Sequence, residues 1–192
     1  MKTQIKVIVT LATLAFAGAT GLAQAQDDSN LTAAQLAAKF QAQEGQLTRG
    51  LVIAPANGTA DTKAADATAL PADTTYVALD PSTQVNIQIR FAFDSAALGT
   101  SEDTKLTALC EAIKVSDIKT FKIIGHTDAS GSDSYNQNLS LLRAEEVKRH
   151  LVENCGVPDG KLIATGVGEA YPINAKDPKS EANRRVEFQV GS

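Results

Sequence analysis

From Ser82 onward the chain carries hydrophobic periods that the stretch before it lacks. Val85, Ile87, Ile89, Phe91 and Phe93 alternate with Asn86, Gln88, Arg90 and Ala92, the two-residue period of a half-buried strand with one wet face. Leu106, Leu109, Cys110 and Ile113 then recur at helical intervals. Thr100 or Ser101 stands ready to cap that helix, with Glu102 and Asp103 in its first turn. Phe121 to Ile124 reads as a short apolar strand ending in Gly125. A second helix is predicted from near Asn136 to Asn154, with Gly156 as its terminator. Residues 161–165 give a third strand and residues 185–190 a fourth, in which Val186, Phe188 and Val190 point one way. The order β-α-β-α-β-β predicts an α+β fold. It is a two-layer sandwich with both helices on one face of a mixed four-stranded sheet and the other face in water.

Ahead of residue 82 the pattern is different. Residues 1–25 read as an export signal, with Lys2 and Lys6, a short apolar run from Val7 to Ala17, and the small-x-small site Ala23-Gln24-Ala25. Residues 26–81 are rich in Ala, Thr and Asp and are expected to be largely flexible, most of all from Ala54 to Thr75. Two islands interrupt this region. Leu31, Ala34, Leu36, Ala37 and Phe40 suggest a short amphipathic helix, and Gly50-Leu51-Val52-Ile53 could add a strand or dock on a partner. Three parts are therefore expected: signal peptide 1–25, N-terminal region 26–81 and a folded domain over 82–192.

The formal net charge is −4, and cleavage of the signal removes two lysines and no acid. An acidic chain lacks the basic footprint of a general nucleic-acid binder. No transmembrane segment is expected in the mature chain, which is expected to be soluble outside the inner membrane. Cys110 and Cys155 remain after export as a candidate disulfide, although two separate buried thiols fit the sequence as well.

The chemistry gathers after Gly125. Gly125-His126-Thr127-Asp128 places a carboxylate just past a strand end, and Arg143 falls within the apolar arc of the following helix, among Leu139, Ser140, Ala144, Val147 and Leu151. A guanidinium at such a position is costly unless paired, and Asp128 is its natural partner. The two could form a plain salt bridge. They could also face a zwitterion, with the acid taking an ammonium and the guanidinium fork taking a carboxylate. The small polar loop from Ala129 to Tyr135, with Gly131, leaves room for a ligand. Asn136 caps the helix, faces the ligand, or does both.

Gly125-His126-Thr127-Asp128, Gly131, Asn136, Leu139-Ser140, Arg143-Ala144, Val147 and Leu151, followed by Gly166-Val167-Gly168-Glu169, Pro172 and Asn183-Arg184-Arg185-Val186, resemble the OmpA-like peptidoglycan-binding domain over about residues 82–192. The resemblance implies a β-α-β-α-β-β sandwich that binds peptidoglycan non-covalently through the meso-diaminopimelate of its stem peptide. It places the acidic anchor on Asp128 and the arginine anchor on Arg143, with Phe93, Asp94 and Asn136 as further pocket residues. Arg184 and Arg185 match the closing signature, and strand-edge charge or structural pairing is expected of them. The location implied is the periplasm, against the cell wall or outer membrane. No cofactor, metal or nucleic acid is implied.

Other readings of the same residues are weaker. His126, Asp128 and Ser140 are the ingredients of a hydrolytic triad, but no nucleophile elbow is present, and a helical Ser140 commonly bonds back to its own helix. The acids of residues 128–133 do not follow calcium-loop spacing. An interaction protein whose residues 26–81 recruit an envelope partner remains the alternative function, with wall binding secondary to it.

Overall fold

The apolar intervals become elements at nearly the expected places. This computed structural model describes residues 27–48, 76–89, 91 and 95–191. Within them run helix α1 (Ala33–Thr48), strand β1 (Val85–Ile87), helix α2 (Asp103–Val115), strand β2 (Phe121–Gly125), helix α3 (Asp133–Glu153), strand β3 (Leu162–Gly166) and strand β4 (Val186–Val190). The predicted export signal, the island at residues 50–53, the linker at 54–75, and Phe93 and Asp94 lie outside the described residues.

The sheet order is β1-β4-β2-β3, with β4 antiparallel to β1 and β2, and β2 parallel to β3. The last strand thus fills the slot that the first crossover leaves between β1 and β2. In register, Ile123 and Val85 both face Phe188, which aligns the apolar residues of three strands on one side. Regular pairing of β1 stops at Ile87 because its partner, Val186, is the first residue of β4. Beyond it Phe91 makes only an isolated bridge with Leu98.

The core lies under that apolar face. Phe121, Ile123, Val186 and Phe188 from the sheet meet Leu106, Leu109 and Ile113 of α2 and Ala144, Val147 and Leu151 of α3. Helix α1 joins them, longer than the expected Leu31–Phe40 island and packed inside the domain. Its Leu36 and Phe40 are fully buried, and the Phe40 ring stands edge-on to Phe121 with centroids 4.9 Å apart. The helical layer therefore contains three helices among the described residues. Neither Thr100 nor Ser101 caps α2: a 3-10 turn, Thr100–Glu102, leads into it behind Gly99, with no side-chain bond at either start. Cys110 and Cys155 are joined, with Cα atoms 5.8 Å apart, tying α2 to the segment that follows α3. Gly156 takes a left-handed φ of 67° there and donates to Val152 O at 3.1 Å, which ends the helix as expected.

The second face of the sheet is not in water, contrary to the alternating pattern of the first strand. Asn86, Lys122, Glu187 and Gln189 are all buried. Tyr76 and Val77 lie against this face: Tyr76 Oη donates to Glu187 Oε2 at 3.3 Å, and Gln189 Nε2 donates to Val77 O at 2.7 Å. Polar side chains can alternate along a buried face when another segment supplies their partners. No described helix is long and apolar enough to cross a membrane.

Candidate functional site

Two glycines paired across β2 and β3, Gly125 and Gly166, let α3 settle onto the sheet at its carboxyl end. A Cβ on Gly125 would stand 2.0 Å from the Ser140 carbonyl oxygen, and one on Gly166 would stand 2.4 Å from Leu141 N. Only the absence of side chains permits this approach. Ser140 seals the contact, donating to Gln137 O at 2.8 Å and accepting from Gly168 N at 2.9 Å. Its hydroxyl is spent on backbone, back-bonding to its own helix as expected. His126 belongs to the other face, with Glu187 and Tyr76. The residues of the conceivable triad therefore do not converge.

The close seat of α3 fixes where its first turns meet the loop after β2. Ser132, not Asn136, caps the helix, accepting from Tyr135 N at 3.3 Å. The helix accordingly starts three residues earlier than the apolar pattern indicated. Asn136 is freed from capping and is buried. Its Nδ2 donates to Asp128 O at 3.2 Å and to Glu169 Oε2, tying the Asp128 loop to the turn after β3. Thr127 N also donates to Gly168 O at 2.9 Å, and Ala129 N to Pro178 O at 3.0 Å. Asp128 is thus held by its own backbone.

The Asp128 carboxylate accepts from Ser130 N at 2.9 Å and from Arg184 Nη1 at 2.6 Å. Burial raises its pKa, but the hydrogen bonds from Arg184 and Ser130 and the charge of Arg184 outweigh burial and hold it below the usual carboxylate value. Its counter-ion is therefore Arg184 and not the expected Arg143. Arg184 is brought there by Asn183, which is fully buried. The Asn183 amide donates to Asp177 O at 3.2 Å and Pro178 O at 3.0 Å and accepts from Asn174 N at 2.9 Å, organising the loop before β4. Arg185 turns the opposite way, donating to Asn86 Oδ1 at 2.8 Å and Tyr171 O at 3.2 Å, and lies 3.5 Å from Glu187. Both arginines of the closing signature are in structural pairs, as expected of them.

Arg143 is held differently. Its Cζ lies 4.8 Å from the centre of the Phe91 ring, and its Nε donates to Ser95 O at 3.4 Å. No carboxylate among the described residues pairs with it. Burial lowers its pKa; Tyr135 and Asp128 act against that and Arg184 acts with it. Phe91 and Ser95 fix the guanidinium in the wall of a cavity of about 490 Å³, where Arg184, Lys105, Glu181 and Asp27 also stand. This arrangement can accept a carboxylate at Arg143 beside Arg184; Asp128 and Asn136 are not among the residues that line this cavity. No group of three His, Cys, Asp or Glu that could hold a metal occurs among the described residues.

Sequence reasoning did not identify Arg184 as the partner of Asp128, Phe91 as the surface under Arg143, or the buried cluster of His126, Glu187, Arg185 and Tyr76. His126 Nε2 lies 3.2 Å from Glu187 Oε2 without the alignment of a full hydrogen bond. Burial pushes the His126 pKa down to about 4, with Arg185 adding to the shift and Glu187 opposing it. The available signal was Glu187 itself, an acid between two apolar strand residues.

The OmpA family model matches residues 90–185. Outer membrane porin F of Pseudomonas aeruginosa is 35% identical over 109 residues, covering 56% of this chain and 31% of the porin. Outer membrane protein A of Bordetella avium is 32% identical over 107 residues, covering 55% of each chain. The chain thus spans about a third to a half of these relatives. The solved peptidoglycan-associated lipoprotein of Burkholderia pseudomallei is 30% identical, with a TM-score of 0.46 over 54% of this chain and 88% of that one. The family match takes in Asp128, Asn136, Arg143 and the loop that delivers Arg184, and on that match this chain belongs to the OmpA family.

Proposed function

We propose that the protein is a non-enzymatic binding module of the cell envelope, exported by residues 1–25, that holds peptidoglycan through the meso-diaminopimelate of its stem peptide. The supporting observation is Arg143, a guanidinium fixed by Phe91 and Ser95 in a cavity wall with no carboxylate against it among the described residues. Its two terminal nitrogens suit the diaminopimelate carboxylate through paired hydrogen bonds. Asp128 takes the ammonium. A carboxylate offers about four acceptor positions, and Ser130 and Arg184 use two of those on Asp128. Asn136 acts by positioning Asp128, and Phe93 and Asp94 are assigned as further ligand contacts on the family resemblance. Peptidoglycan is the partner, and the site is the periplasmic side of the outer membrane or the wall itself.

Sedimentation with purified sacculi tests this reading. Asp128→Ala and Arg143→Ala should each weaken binding by roughly 2–5 kcal/mol, because each leaves a ligand charge unmatched in a partly closed site. Variants that pellet as well as the wild type would remove the site assignment.

A further inference from the structure

Pairing off the charges around the cavity leaves two. Lys105 Nζ is bonded to Glu102 Oε2 at 2.8 Å and to Gln88 O at 2.5 Å. Arg184 bridges Asp128 at 2.6 Å and Glu181 at 3.3 Å. Among the described residues, Arg143 and Asp27 are the cavity-lining charges without a counter-ion. They are far apart in the sequence, and Asp27 lies outside the stretch that matches the family.

Asp27 is placed by the edge of the sheet. Asp28 N donates to Asn86 O at 2.8 Å, and Asn86 N donates to the Asp28 side chain, Oδ2, at 2.9 Å, so the chain ahead of α1 is pinned to the open edge of β1. Lys39 of α1 holds the other oxygen of Asp28 at 2.7 Å and Gln84 O at 2.9 Å. Ser29 Oγ accepts from Gln88 N at 3.0 Å. Asp27 Oδ1 accepts from Ser29 N at 3.0 Å and from Gln88 N at 3.4 Å, while Oδ2 has no bond among the described residues. A pinned turn thus carries a carboxylate with one free oxygen into the wall of the cavity that holds Arg143.

We infer that Asp27 is a ligand-binding residue, receiving the ammonium of the zwitterion whose carboxylate sits on Arg143. The inference rests on the cell-wall reading and adds to it a contact from the N-terminal segment. An ammonium has three N–H donors, so a bond to Asp27 leaves two of them for other acceptors. The ligand must then carry a free amine. A stem peptide whose diaminopimelate amine is acylated in a crosslink loses this contact, so the site selects uncrosslinked stems.

Calorimetry on the mature chain separates the possibilities. The two ligands are a disaccharide-tripeptide ending in meso-diaminopimelate and the same compound with its side-chain amine acetylated. Asp27→Asn should weaken binding of the free amine about tenfold, as expected for one charge-assisted contact, and leave the acetylated form unchanged. Equal weakening of both ligands, or of neither, overturns the inference. Ser29→Ala keeps the charge and loosens the turn that places it, so it should weaken the free amine selectively but by less than Asp27→Asn does; an equal loss on both ligands would overturn the placement of the carboxylate. Arg143→Ala reports on the underlying reading: unchanged binding of both ligands there removes the wall-binding site itself, whereas loss at Arg143 with none at Asp27 removes Asp27 alone.

Discussion

Phe40→Ala is the sharpest test of whether α1 belongs to the domain, because this helix lies outside the family match at residues 90–185. The Phe40 side chain is fully buried and packs edge-on against Phe121, at the centre of the cluster shared by α1, α2 and the sheet. Truncating a buried Phe costs about 3–5 kcal/mol through lost transfer energy and the cavity left behind. Domains are stable by only about 5–15 kcal/mol in total, so the change should be large against the whole. Guanidinium unfolding of the mature chain, followed by circular dichroism, should show a lower midpoint with an unchanged slope. A loss under about 1 kcal/mol, the scale of surface substitutions, would refute the placement of α1 in the core. The same helix supplies Gln43, whose amide donates to Thr83 O at 2.8 Å and Phe188 O at 3.1 Å and accepts from Val190 N at 2.8 Å. A fragment beginning at residue 82 leaves these β4 groups without that partner, exposes Phe121 and also lacks Asp27, so weak wall binding by the fragment would combine unfolding with the loss of that contact.

Further outcomes follow from the same contacts. Reducing the Cys110–Cys155 bond, which closes a loop with a sequence separation of 45, should cost about 4 kcal/mol by the chain-entropy relation and lower the melting temperature of wild type but not of Cys155→Ser. With the His126 pKa down near 4 from 6.5, the unfolded chain binds a proton in that window that the folded chain does not. Stability should therefore fall as pH drops through the window, by on the order of 3 kcal/mol, and His126→Gln should flatten the profile. Arg143→Lys should weaken sacculus binding about tenfold or more while leaving the melting temperature nearly unchanged, since an ammonium keeps the charge but not the paired bonds.

The elements that could be read in advance were those fixed by short-range pattern. The apolar stripe of α2, the glycine stop after α3 and the single-sided apolar set of β4 each depend on residues within a few positions of one another. The wet second face failed for the opposite reason. Asn86, Glu187 and Gln189 read as solvent-facing, yet their partners are Tyr76, Val77 and Arg185, and no local period encodes those contacts. The start of α3 was read late because Asp133, Ser134 and Tyr135 are exposed and carry no apolar signal. Ser132 marks that start through its capping bond instead.

The same distinction governs the site. Spacing placed Asp128 and Arg143 at one end of the fold but could not rank a competitor arriving 56 residues further on. Arg184 wins because Asn183 locks the loop that carries it, while the Arg143 side chain is drawn onto Phe91 and Ser95. Had Asp128 and Arg143 paired, a ligand carboxylate would have to break a desolvated ion pair before reaching the guanidinium, and breaking such a pair costs several kcal/mol. With Arg184 as the counter-ion of Asp128, the carboxylate reaches Arg143 without breaking any bond between described charges. The substitution of partners that sequence spacing missed is therefore the feature that leaves Arg143 without a counter-ion among the described residues.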